Sequence, residues 1–212
     1  MRKRRKATRS TRRTQRDRRS LAIVTGAVAI LLLLASGTLW LIGGGTSPSR
    51  TAAVGGPFTL VQGDGQTVTD RSFPGKYLLI YFGYTSCQDI CPTTLTSVAA
   101  ALDALGDAAE RVQPLFITVD PERDTPAVVG RYVNAFTPRL IGLTGTPAEI
   151  RKIADAYRVT SVVHPAGANP ARTSVDHTSV LFLVGPDGRY IAPIRADETG
   201  DDMARSIARH LS

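Results

Sequence analysis

The chain has 212 residues with 42% hydrophobic and 21% charged side chains, which excludes both a wholly disordered protein and a multispan membrane protein. Lys plus Arg outnumber Asp plus Glu by 26 to 18, but residues 1–19 hold eleven of the basic residues and a single acid, Asp17. The remaining residues 20–212 carry 15 basic and 17 acidic side chains, so the folded part is near neutral and a nucleic-acid-binding face is not supported.

The tail, residues 1–20, is followed by Leu21–Ile42, an uncharged apolar run of 22 residues. As a helix it measures about 33 Å, enough to cross a bilayer core of about 30 Å. Basic residues before it predict a cytoplasmic N-terminus, with Trp40 at the far interface and everything after Ile42 outside the cytoplasm. A cleaved signal peptide is the competing reading. Its apolar region is usually about 7–15 residues, and Ala35-Ser36-Gly37 is a weak cleavage site inside the run. Residues 43–56, rich in Gly, Ser and Thr, read as a tether with a reach of about 20 Å. The expectation is an uncleaved single-pass anchor in the cell membrane carrying one extracytoplasmic domain, residues 57–212.

Within that domain strand and helix patterns alternate. Phe58–Val61 and Thr67–Val68 flank Gly63-Asp64-Gly65, a hairpin signal. Tyr77–Phe82 is nearly continuous in apolar residues, as a buried central strand would be. Pro92 opens a helix predicted to run to Leu105, apolar at Leu95, Val98, Ala99, Leu102 and Leu105. Leu115–Val119 reads as a second buried strand. Pro126–Phe136 and Pro147–Tyr157 read as helices that each begin with proline. Val180–Val184 and Tyr190–Ile194 read as a hairpin about Gly185-Pro186-Asp187-Gly188, and Thr199–Leu211 as a closing amphipathic helix. The order predicts an α/β domain with a central mixed sheet, helices on both faces and a thioredoxin-like arrangement.

Two cysteines cannot build a disulfide scaffold. Cys87 and Cys91 stand four residues apart where a buried strand gives way to a helix. On a near-helical turn these positions share a face with Cβ atoms about 5–6 Å apart, close enough for two thiolates to meet one soft metal ion. A disulfide needs a closer approach, about 3.5–4.5 Å between Cβ atoms. The helix N-terminus favours the thiolate form. Inert core cysteines are the bland alternative. Zinc would want four ligands, whereas Cu(I) accepts two thiolates and one imidazole. Of three histidines, His210 reads as a surface residue in the last helical turn and His164, before Pro165, as an exposed loop residue. His177 stands at the entry to an apolar strand, and the pattern alone leaves the choice of ligand open.

The segments Tyr81-Phe82-Gly83-Tyr84-Thr85-Ser86-Cys87-Gln88-Asp89-Ile90-Cys91-Pro92-Thr93, Val119-Asp120-Pro121-Glu122-Arg123-Asp124-Thr125-Pro126, Gly142-Leu143-Thr144-Gly145-Thr146 and Asp176-His177-Thr178 together resemble the SCO/SenC family. These are membrane-tethered copper proteins that help assemble cytochrome c oxidase. The resemblance runs through residues 57–212 and implies a thioredoxin fold, copper as the metal, as Cu(I) or Cu(II), and Cys87, Cys91 and His177 as its ligands. It implies the copper-bearing subunit of cytochrome c oxidase, or another copper acceptor, as the partner. It also admits a second role on the same residues, a thiol-disulfide oxidoreductase that reduces the acceptor's cysteines, with Cys87 and Cys91 as the redox pair. No organic cofactor is expected, and the domain is expected to be a monomer or a weak dimer.

The family usually has proline where this chain has Gln88, which predicts a looser loop with its ligand atoms intact. Asp120 is read evenly as a residue near the metal, as in the family it resembles, or as a turn or helix-cap residue before Pro121. Asp124 is read as a cap for the helix beginning near Pro126. Ser161–Ser174, with two prolines and Gly167, reads as a mobile loop ahead of His177.

Overall fold

A computed structural model describes residues 54–160, 162–164, 174–176 and 180–211. The basic tail, the apolar run Leu21–Ile42, most of the tether and His177 lie outside the described residues. Among the described residues no helix is long and apolar enough to cross a membrane.

Among the described residues nine strands and four α-helices follow one another as β1 (Thr59–Gln62), β2 (Thr67–Thr69), β3 (Tyr77–Gly83), α1 (Ile90–Leu105), β4 (Val112–Thr118), α2 (Pro126–Asn134), β5 (Ile141–Thr144), α3 (Pro147–Ala156), β6 (Val162–His164), β7 (Ser174–Asp176), β8 (Val180–Val184), β9 (Tyr190–Arg195) and α4 (Gly200–Ala208). Seven strands form one mixed sheet in the order β2-β1-β5-β4-β3-β8-β9. β3, β4 and β5 run parallel, and antiparallel neighbours close both sides.

The continuous apolar run of β3 has a direct cause. All seven of its residues are buried, because the strand is paired on both edges and covered on both faces. Its alternate residues divide the core. Tyr77, Leu79 and Tyr81 pack with Leu95, Val98 and Leu102 of α1, Val129 and Val133 of α2, and Met203 and Ile207 of α4. Leu78, Ile80 and Phe82 face the other way, against Ile150 and Ile153 of α3, Leu60 and Phe182. Period-two alternation on a strand thus sorts the helices onto two faces. The mixed sheet and two-sided helix cover match the thioredoxin-like expectation.

The elements predicted from Phe58 onward are present, with shifted ends. Helix α1 begins two residues before Pro92, so the proline sits in its first turn, and Ala101 is buried where Ala99 is only half-buried. The last helix ends at Ala208, which leaves His210 in the turn that follows, its N–H donating to the Ile207 carbonyl. Strand β5 was not foreseen. Four residues give little periodicity, and Gly142 has weak strand propensity. That glycine is needed: a Cβ there would stand 2.5 Å from Val129 Cγ1, so α2 packs directly on the strand's backbone. The reading of Ser161–Ser174 as a loop is corrected at Val162–His164 and Ser174, which are strand, while residues 161 and 165–173 lie outside the described residues. Val162–His164 pairs antiparallel with Ser174–Asp176, and His164 is a strand residue opposite Ser174.

Candidate functional site

Ligand sites in open α/β sheets gather outside the carboxyl ends of the parallel strands, where the chain turns away from the sheet. Here β3 ends at Gly83 and β4 at Thr118, side by side in register, and the Val119 N–H donates to the Gly83 carbonyl at 2.8 Å. Cys87 lies in the turn leaving β3, and Cys91 in the first turn of α1. The two cysteines meet there as free thiols.

Their environments differ. Cys91 is fully buried in the core beneath α1, while Cys87 is half-buried at the surface. Asp89, at the N-cap of α1, makes no side-chain capping bond. Instead the Cys91 N–H, a first-turn donor beyond the reach of the helix's own carbonyls, donates to the Cys87 sulfur at 3.4 Å. The sulfur occupies the place of a capping oxygen at the positive end of the helix.

The thiol acidities separate accordingly. Burial pushes the Cys87 thiol up, but the Cys91 N–H and thiol, the Asp89 N–H and the Tyr84 hydroxyl bond to its sulfur and hold it below the usual thiol value. Burial dominates at Cys91, and the neighbouring Cys87 charge adds to it, so that thiol is pushed up to about 12. The expectation of two easily ionised thiols at the helix start therefore holds for Cys87 and is corrected for Cys91. Burial outweighs the helix terminus there.

Two tyrosines escaped the sequence reading. Tyr81, pointing from β3, donates its hydroxyl hydrogen to the Cys91 sulfur at 3.7 Å. Tyr132 of α2 packs its ring against Phe116 and Phe136. Its buried hydroxyl has no hydrogen-bond partner among the described residues. Burial raises its pKa, and the charges of Cys91, Cys87 and Asp124 raise it further, which places the phenol beside the same cluster. Strand alternation and an apolar helix face supply ordinary core reasons for both tyrosines, so no sequence signal marked them. Gly83 is the third unrecognised member. A Cβ there would stand 3.0 Å from the Cys91 sulfur and 2.8 Å from the Phe116 ring.

The two aspartates of the β4–α2 segment have different outcomes. The Asp120 carboxylate pairs with Arg123, and its backbone carbonyl accepts from the N–H groups of Arg123 and Asp124. That is the turn reading. Asp124 is no helix cap: Thr125 holds the N-cap position of α2, and no side-chain capping bond is made there. The Asp124 side chain is 1% exposed and points inward, accepting from Thr85 N–H at 3.0 Å, Thr85 Oγ1 at 2.5 Å and Thr118 Oγ1 at 2.5 Å.

His177, the third expected ligand, lies outside the described residues. Among the described residues no three His, Cys, Asp or Glu side chains converge into a metal-binding group. The described part of the site is thus a dithiol of unequal members. It can offer two soft sulfur donors to one metal ion, or pair a half-buried attacking thiol with a fully buried resolving one.

A family model described as SCO1/SenC matches residues 46–212. The human mitochondrial SCO1 homolog is 39% identical over 160 residues, covering 74% of this chain and 53% of that protein. Protein SenC of Rhodobacter capsulatus is 42% identical over 163 residues, covering 77% of this chain and 73% of that protein. The structure of Bradyrhizobium japonicum ScoI with copper bound superposes with a TM-score of 0.68 at 43% identity, covering 74% of this chain and 99% of that one. The chain spans about half to three-fifths of the length of several mitochondrial and yeast relatives it matches.

Proposed function

The chain belongs to the SCO1/SenC family, and from that premise we propose that it is a membrane-tethered copper chaperone. Cys87, Cys91 and His177 hold the copper. The Leu21–Ile42 run anchors the domain outside the cytoplasm, and the cargo passes to the copper-bearing subunit of cytochrome c oxidase or to another acceptor. The observation that carries this reading is the contact of the Cys91 N–H with the Cys87 sulfur, which holds two thiols on one face at the mouth of the fold. A relative 43% identical to this chain holds copper, which agrees with so soft a donor pair.

Cys87 supplies a thiolate readily, and Cys91 must give up its proton when copper arrives. Uptake is therefore expected to release protons and to tighten as pH rises. Transfer proceeds by ligand exchange, one thiolate at a time, and the more exposed Cys87 is the first to be reached by an acceptor. A disulfide between the pair removes both donors.

The test is a copper titration of the reduced full chain in detergent micelles, beside its Cys91→Ser and His177→Ala variants, with metal and thiols counted per chain. The expected result is one copper per chain, weakened in both variants. Unchanged copper in His177→Ala removes that residue from the ligand set.

The same asymmetry favours a second reading, thiol–disulfide exchange, in which Cys87 attacks and Cys91 resolves. No copper uptake, with thiols cycling readily against glutathione, selects it.

A further inference from the structure

Asp124 has a side chain that helix α2 does not use. The helix begins at Pro126 behind an extended Thr125, and the preceding carboxylate turns away from it into the protein. Taking a carboxylate to 1% exposure is costly unless donors replace the lost water. All three donors come from other parts of the fold. Thr85 gives its N–H and its hydroxyl from the turn that carries Cys87, 39 residues earlier in the chain, and Thr118 gives its hydroxyl from the end of β4. The Thr118 oxygen in turn accepts the Asp120 N–H at 3.0 Å. Among the described residues no basic side chain forms an ion pair with Asp124, and the partners found there are these hydrogen-bond donors.

The geometry has one beneficiary. Thr85 stands two residues before Cys87, and the Cys87 N–H donates to the Tyr84 carbonyl at 3.2 Å. Cys91 is fixed by the packing of α1. Cys87 is only half-buried, packed against the margin of the core, and its place there depends on where the turn Tyr84–Cys87 is held.

We propose that Asp124 is a positioning residue for the dithiol, clasping the turn at Thr85 to the end of β4 so that the Cys87 sulfur stays over the first turn of α1 against Cys91. The clasp sets the effective concentration of one thiol at the other. It rests on the reading of Cys87 and Cys91 as the working pair, and acts on that pair whether or not copper is the cargo.

The experiment therefore uses a copper-free readout. The chelator-treated full chain in micelles is equilibrated with glutathione buffers. One glutathione disulfide is reduced to two glutathione as Cys87 and Cys91 give up two electrons and two protons and form one S–S bond. Asp124→Asn keeps the shape but replaces one acceptor oxygen by a donor group. The expected result is about a tenfold smaller equilibrium constant for disulfide formation, about 30 mV for this two-electron couple. Thr85→Val, which keeps the backbone bond and loses the hydroxyl, is expected to shift it in the same direction by about threefold, or about 14 mV. Thr85→Ser restores the hydroxyl and is expected to return the wild-type value.

Melting is followed beside each variant. A lowered melting temperature with an unchanged glutathione equilibrium in both Asp124→Asn and Thr85→Val makes Asp124 a structural residue only and overturns the proposal. Should Asp124→Asn fail to fold, the Thr85 pair decides in the same way. Failure of the wild type to take up copper, with the shift still present, removes the copper reading and leaves the clasp standing.

Discussion

Helices α2 and α3 both begin Thr-Pro-Ala, at Thr125 and at Thr146, and both threonines have the same extended backbone, with φ near −63° and −65°. They are nevertheless secured by different means. In α3 the Thr146 hydroxyl accepts the Glu149 N–H, and the Glu149 carboxylate accepts the Thr146 N–H at 2.7 Å, a closed capping box among four consecutive residues. In α2 the corresponding position is Val128, no box can close, and the nearby acid, Asp124, bonds to Thr85 and Thr118 instead. The helix on the other face of the sheet is finished locally. The helix beside the thiols leaves its start uncapped and commits its neighbouring carboxylate to the site.

That comparison breaks most visibly at Asp124. Asp124→Ala leaves the Thr85 N–H and two inward hydroxyls without their acceptor and is expected to cost about 3 kcal/mol in urea unfolding. A loss of only about 1 kcal/mol, that of an ordinary cap, would show that these three bonds do not hold the turn. Gly83→Ala, on the same side of the molecule, drives a methyl against the Cys91 sulfur and the Phe116 ring. Overpacking of this kind is expected to cost about 2 kcal/mol and to displace Cys91, read as a changed rate of its alkylation.

Thr146→Ala opens the capping box of α3 and is expected to cost about 1 kcal/mol, with the glutathione equilibrium of the dithiol unchanged. The acid limb sharpens the same point. The Thr146 N–H and hydroxyl hold the exposed Glu149 carboxyl below its ordinary value of 4.5. A lowered folded pKa gives stability that is present above 4.5 and lost as pH falls through the folded value. Glu149→Gln is therefore expected to be less stable than wild type at pH 7 and to converge with it below that window, measured by thermal unfolding across pH. Thr125→Ala is expected to be the quietest change, within about 0.5 kcal/mol, since its side chain makes no capping bond. A cost equal to that of Thr146→Ala would erase the distinction between the two starts.

The thiols show a similar division. The spacing of Cys87 and Cys91, at a strand end followed by a helix-opening proline, was enough to place both at one mouth of the sheet. It was not enough to rank them. Burial of Cys91 against Tyr81 and Leu95 separates their acidities, and burial depends on what α1 packs against.

The sequence alone determined the α/β alternation, because β3 and α1 carry patterns of period two or continuous apolarity and of period 3.6 over seven and sixteen residues. It determined the hairpins through their glycine turns, with Gly65 and Gly188 at φ of +87° and +76°. It also pointed, through several motifs in order, to the family. Tertiary structure alone decided the place of β5, whose four residues carry too short a pattern, and the pairing of β6 with β7, two segments of three residues each. It alone decided Asp124. An acid just ahead of Thr-Pro reads locally as a cap, and the bonds that overrule that reading reach a threonine 39 residues away. Contacts between distant segments leave no periodicity in the chain, so only the folded protein brings them into view.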